Sequence, residues 1–225
     1  RDRSRRRARR RFPWPAAMLA VRFVLGIAVL LYPATAAWFT QYQQSQRIDA
    51  YSETVRDLTV ESRHAAIQDA VAYNDALVDG TSVVAAGENK PLAEASAESD
   101  YTQLLHADDT GLMARIKIPS IDVDLPIYHG TSDDTLAKGI GHLEGTALPI
   151  GGPSTHSVLT GHRGLADAEL FTNLDKVVVG DTFTIEVFGE VLTYQVTDTK
   201  VVEPEQTETL YPQRGADLVT LVTCT

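Results

Sequence analysis

The chemistry open to this chain turns on one cysteine and six histidines. Cys224 follows an apolar run at 218–222 in which Thr220 is interleaved, with Thr223 between the run and the thiol. A lone cysteine has two readings. It can be a small buried hydrophobe, or, outside the cytoplasm, an unpaired and therefore reactive thiol. A nucleophilic role needs a base or a positive neighbour, because a free thiol of pKa ~8.5 is only a few per cent thiolate at neutral pH. His64 and His106 fall outside the β-rich part of the chain and read as solvent-facing. His129, His142, His156 and His162 fall within it. None of the four pairs at a four-residue spacing on a helix, and one cysteine adds little, so no metal or other cofactor is expected. His162 follows the run HSVLTG and is flanked by Gly161 and Gly164. That places an imidazole at a strand end on a tight turn, where chemistry is commonly carried. His129 and His142 read as hydrogen-bonded structural histidines. Thr160 and Thr223 either satisfy backbone groups or line a groove beside the thiol. Gly139, Gly141 and Gly145 serve turns; they follow no parallel strand and open no clear helix, as a phosphate loop requires.

The elements that must position these residues are mostly strands. After about residue 111, short β-type runs alternate with Gly and Pro: ARIKIP, VDLPIY, HSVLTG, DTFTIEVF, VLTYQVTDTKVV and DLVTLVTC. Phe188-Gly189-Glu190-Val191 fits a two-residue hairpin turn with Gly first. Six or more short strands in this span predict a closed barrel or sandwich rather than alternating strand and helix units. Short helices are expected near residues 133–138 and 166–174. Upstream, residues 34–79 contain no Gly and no Pro, and Ile48, Tyr51, Val55 and Leu58 recur at helical spacing. Asp79-Gly80 is a plausible stop. Residues 80–110 read as a linker or lid, with 80–100 small, polar and aperiodic.

The N-terminal residues suggest a membrane. Residues 1–11 carry eight Arg and one Asp, net +7, whereas the rest holds 12 basic and 29 acidic residues, net −17. So acidic a body excludes a nucleic-acid partner, since phosphate contacts need Lys and Arg. Residues 16–39 are apolar apart from Arg22, and the charge-free part, 23–39, is long enough to cross the hydrocarbon core. Trp14 and Trp38 sit near the two expected interfaces, and the positive-inside rule puts residues 1–15 in the cytoplasm and the acidic body outside. A cleaved signal peptide is the rival, with residues 34–37 a weak cleavage candidate. The chain has 225 residues, 44% hydrophobic and 22% charged, which suits one or two globular domains; its single cysteine excludes a disulfide scaffold. It begins at Arg1 and ends one residue past its cysteine, as a fragment of a longer protein would.

The pieces LPIYHGT (125–131), GIGHLEGTALPIGG (139–152), THSVLTGHRGL (155–165), LFTNLD (170–175) and VTLVTCT (219–225) resemble a sortase, most closely class C, the pilin-polymerising sortases of Gram-positive bacteria. The resemblance covers about half the chain, residues 111–225. It implies a mainly β fold, a sortase-type β-barrel with its last strand missing, preceded by an N-terminal transmembrane helix (16–39) and a helical extracytoplasmic stem (40–79). It also implies a membrane-anchored transpeptidase that takes LPXTG-motif surface proteins or pilin subunits. Cys224 matches the family's nucleophile and His162 its general acid/base. The family's arginine lies on the strand after the cysteine and is therefore expected beyond Thr225, so the chain as written is expected to be a poor catalyst; neither Arg163 nor Arg214 takes that role. The Asp-Pro-aromatic anchor of class C lids is not visible in 80–110. Two alternatives stand beside pilus assembly: a housekeeping, wall-anchoring sortase, and a non-enzymatic envelope binding domain with a buried cysteine.

Overall fold

The computed structural model describes residues 14–79, 101–108, 110–164, 170–203 and 206–224. Two long helices lead into one seven-stranded sheet. Helix α1 (Trp14–Asp57) contains Pro33, which has no N–H for the carbonyl one turn back and whose ring crowds that carbonyl. Next to it the Thr35 hydroxyl donates to Leu31 O and Tyr32 O, each at 3.0 Å, a habit that also bends helices. The helix is bent by 41° between Ala17–Pro33 and Thr35–Asp57. This corrects the expectation of one uninterrupted span at 16–39. Among the described residues no single helix is long and apolar enough to cross a membrane; only the bent pair taken together reaches the length and mean hydropathy of a span.

The second half of α1 behaves differently. Gln44, Ile48, Tyr51 and Val55 are buried in one stripe, the 3–4 spacing that turns one helix face to a core. Leu58 packs partly against the same core. Helix α2 (Val60–Asp79) begins after a break where the Thr59 hydroxyl accepts from Ser62 N–H at 3.1 Å, an N-cap bond, and it ends at Asp79. Residues 80–100 lie outside the described residues. The segment read as a linker or lid to 110 is core in part: Tyr101, Leu104 and Leu105 are buried, since apolar side chains of that size gain more from the barrel than from water.

The strands are β1 (Leu112–Ile118), β2 (Val123–His129), β3 (Ile140–His142), β4 (Thr155–Thr160), β5 (Thr182–Val187), β6 (Glu190–Gln195) and β7 (Asp217–Val222). Their order is β6-β5-β1-β2-β3-β4-β7. Pairs are antiparallel except β2/β3 and β4/β7. The β2-to-β3 crossover carries the short helix α3 (Asp133–Leu136), capped by Ser132, whose hydroxyl accepts from Thr135 N–H. The two outer strands approach each other where the Tyr194 hydroxyl donates to Asp217 Oδ1 at 3.0 Å, so the sheet curls into a nearly closed barrel. Its interior is filled by Leu112, Met113, Ile116, Ile127, Ile140, Leu159 and Ile185, all fully buried.

Three local expectations change. The β5–β6 turn is Phe188-Gly189, both with positive φ (46° and 87°), with Val187 paired to Glu190; it is one residue earlier than a Gly-first turn. Phe188 tolerates this backbone because its ring is buried edge-on to Tyr51 and its N–H donates to the Tyr51 hydroxyl at 3.2 Å. The long run 191–202 is a strand only as far as Gln195. Of the helix expected at 166–174, residues 166–169 lie outside the described residues, and Leu174–Lys176 form a short 3-10 turn.

Candidate active site

Strands β4 and β7 run parallel and in register from Thr155 opposite Asp217 to Thr160 opposite Val222. Across this ladder His156 Nε2 lies 2.7 Å from the Thr220 hydroxyl. That contact puts the even-numbered side chains of both strands on one face, because successive side chains of a strand point to opposite faces. Leu159, of opposite parity, is fully buried in the barrel core.

The register continues past the ends of both strands. Gly161 N–H donates to Val222 O at 3.0 Å, and the Thr223 hydroxyl donates to Gly161 O at 2.8 Å. The next residues are His162 and Cys224. Both lie just past the last paired residues, Thr160 and Val222, on adjacent chain segments beyond the ladder. Cys224 is a free thiol and exposed, and His162 is half-buried. The reading of a buried structural cysteine is thereby corrected: the chain leaves β7 at Val222, so the thiol stands beyond the ladder rather than beneath it. Gly161 is required at its place by packing. A Cβ there would lie 2.7 Å from both Ile140 Cδ1 and Phe171 Cδ2, closer than carbon atoms tolerate. A bare backbone thus brings the His162 turn down onto the barrel.

Such an arrangement pairs an accessible soft nucleophile with a group able to hold or release a proton, the requirement of covalent acyl transfer. Known proteins similar to this chain share its scaffold. A sortase domain profile matches residues 116–225, from within β1 to just beyond the thiol. The structure of sortase C1 of GBS pilus island 1 is 41% identical, with a TM-score of 0.72, over 81% of this chain and 84% of that one. The chain belongs to the class C sortases. Sortase C-1 of Actinomyces oris is 45% identical, with a TM-score of 0.64, over 73% of this chain and 90% of that one. Sortase D of Bacillus subtilis is 32% identical over 110 residues, 48% of this chain. The chain spans about half the length of the curated relatives it matches, 52% and 53% for two of them.

The remaining residues singled out in this sortase fall into place by their hydrogen bonds. Thr223 ties the cysteine segment to the histidine turn, so of its two readings the backbone one is occupied. Thr160 is half-buried at the end of β4 that leads to His162. His142 is fully buried; the Tyr101 hydroxyl lies 2.7 Å from its Nδ1, and its Nε2 faces Ala147 O at 2.9 Å. Burial pushes its pKa down to about 4. His129 bonds Leu104 O through Nε2 at 2.7 Å. The His156–Thr220 bond, with His156 Nδ1 facing Tyr211 O at 3.0 Å, was not legible in advance; its one sequence signal is the two-residue periodicity shared by HSVLTG and LVTLVTC. Burial lowers the His156 pKa as well. His64 and His106 are exposed. Arg163 pairs with Asp175 at 3.2 Å, and Arg214 is exposed. Among the described residues no group of three His, Cys, Asp or Glu could hold a metal ion.

Proposed function

We propose that the protein is a membrane-anchored cysteine transpeptidase that cleaves an LPXTG-like sorting signal and joins the acyl fragment to an amine. The observation that carries this reading is that His162 and the exposed Cys224 follow directly on two segments tied together by Val222, Thr223 and Gly161. The Cys224 thiolate attacks the carbonyl carbon of the signal's threonine, forming a C–S bond and placing negative charge on the carbonyl oxygen. Collapse breaks the Thr–Gly C–N bond, and the His162 imidazolium gives its proton to the departing glycine amine. An incoming amine then attacks the thioester, His162 takes a proton from it, and Cys224 leaves as thiolate. Thiolate and imidazolium are both restored, so the cycle needs no redox partner and no cofactor.

Likeness to sortase C1 of GBS pilus island 1 supports a pilin lysine as the acceptor, hence pilus assembly; the wall-anchoring alternative differs in that acceptor alone. The bent apolar pair Ala17–Pro33 and Thr35–Asp57 supports anchoring, with the barrel on the extracytoplasmic side. A non-enzymatic envelope domain with a buried cysteine does not fit the exposed Cys224. The test is transfer of an LPXTG peptide to an amine by the full-length protein, with the thioester detected by mass. Cys224→Ala is expected to form neither thioester nor product, and His162→Ala to lose ~10²–10⁴-fold in rate. Product formation at the normal rate by the Cys224 variant would overturn the reading.

A further inference from the structure

The imidazole of His162 sits beyond the end of β4, where no sheet partner holds its own backbone, yet acyl transfer depends on placing it to within a fraction of an ångström. The Cys224 side of the turn is tied by Gly161 N–H to Val222 O and by Thr223 to Gly161 O. The other side is gripped residue by residue by one short segment. Phe171 N–H donates to His162 O at 3.1 Å. The Arg163 guanidinium meets Asp175 Oδ2 at 3.2 Å. The Thr172 hydroxyl accepts from Gly164 N–H at 3.1 Å. Three consecutive residues of the turn, His162, Arg163 and Gly164, are thus each bound to the segment 171–175.

That segment is itself anchored and strained. Phe171 is fully buried, with its ring against Gly161. Leu170 is buried at φ 31°, a left-handed backbone a leucine rarely adopts. Such outliers persist where the surroundings over-determine them, and they gather at functional sites. Here the turn at Leu170 is what directs the Phe171 N–H at His162 and the Thr172 hydroxyl at Gly164. Gly164 is exposed, at φ 75° and without a side chain, so the Thr172 bond is its visible restraint.

We propose that Thr172 is a positioning residue for His162, acting with Phe171 and Asp175 as a strap that fixes the turn carrying the imidazole. This rests on the transpeptidase reading above. Thr172→Val keeps the shape and removes the acceptor, while Thr172→Ser restores it. In the full-length protein Thr172→Val is expected to lower kcat by about 10-fold or more, as small misplacements of catalytic groups do, with KM within about twofold of wild type and melting temperature nearly unchanged. Thr172→Ser should recover most of the rate. Asp175→Asn should cost less, since its pair is largely exposed and screened. A second readout does not depend on turnover: the pH profile of Cys224 alkylation by iodoacetamide should move in Thr172→Val part of the way towards that of His162→Ala. If Cys224→Ala and His162→Ala are inactive while Thr172→Val keeps wild-type kcat and alkylation profile, the strap is overturned and the reaction stands. If those two variants stay active, the transpeptidase reading falls and the positioning role falls with it.

Discussion

His142 and His162 show how far environment separates two imidazoles of one barrel. His142 lies inside, with Tyr101 on one nitrogen and the Ala147 carbonyl on the other, and burial depresses its pKa to about 4. His162 lies just past a strand end and is half-exposed. The buried one has a consequence for stability. Its folded pKa lies below the unfolded value of ~6.5, so the unfolded chain takes up the proton first as pH falls. Stability conferred by the neutral ring is complete above pH ~6.5 and is lost as pH drops towards 4, by roughly 3 kcal/mol at most for a shift of this size. His156 shifts the same way for the same reason. Urea midpoints measured from pH 7 to 4.5 should fall more steeply in wild type than in His142→Gln; parallel slopes would remove His142 as the cause. At this scale the sequence was informative where residue types are rare. One cysteine and a Gly-flanked histidine are recognisable as chemistry, whereas the Thr220 that partners His156 is 64 residues away and looks like any strand threonine.

Between elements, the Tyr51 hydroxyl adds polar ties that bridge α1, β1 and the β5–β6 hairpin. Strand β1 slips register between Leu112 and Ala114, and such a bulge leaves one residue unpaired in the ladder. The Tyr51 hydroxyl of α1 donates to the carbonyl of that residue, Met113, at 2.8 Å. It also accepts from Phe188 N–H in the hairpin turn. Tyr51→Phe keeps the ring but strands a buried carbonyl and a buried amide, each costing ~1–3 kcal/mol. Urea denaturation should show a loss of that order, and a variant as stable as wild type would mean water takes both bonds. The strands rich in β-branched residues were legible because alternation and Gly/Pro punctuation mark them. The three-residue β3 was not, because Ile140-Gly141-His142 is too short to show a period. The turn was misplaced by one residue because local rules reserve left-handed backbone for glycine, whereas Tyr51, 137 residues away, holds Phe188 in it. Strand order was out of reach for a related reason: β4 and β7 pair across a gap filled by the whole β5–β6 hairpin.

Over the whole molecule, charge and apolar character are segregated along the sequence. Residues 1–11 carry net +7, and the rest of the chain carries −17. Between them the first half of α1 exposes apolar side chains around its circumference: Phe23 is 70% exposed, Leu30 79% and Trp38 65%. Further along the same helix, Ile48 and Tyr51 are 2% exposed. A helix whose apolar residues face outward on all sides lacks the polar face of a helix lying on a soluble core, which is what supports the proposed anchor. The bend at Pro33 falls inside the apolar half, and the Thr35 hydroxyl donates to Leu31 O and Tyr32 O there. On the proposed anchoring, the arginine run sets the direction, because basic flanks stay on the cytoplasmic side. Protease added to intact cells producing the full-length protein should therefore digest the polypeptide beyond residue 40 and spare an epitope placed at residues 1–11. Permeabilised cells should lose that epitope as well. The opposite pattern, with the barrel protected and the arginine run cut, would place Cys224 in the cytoplasm, away from any surface protein it could join.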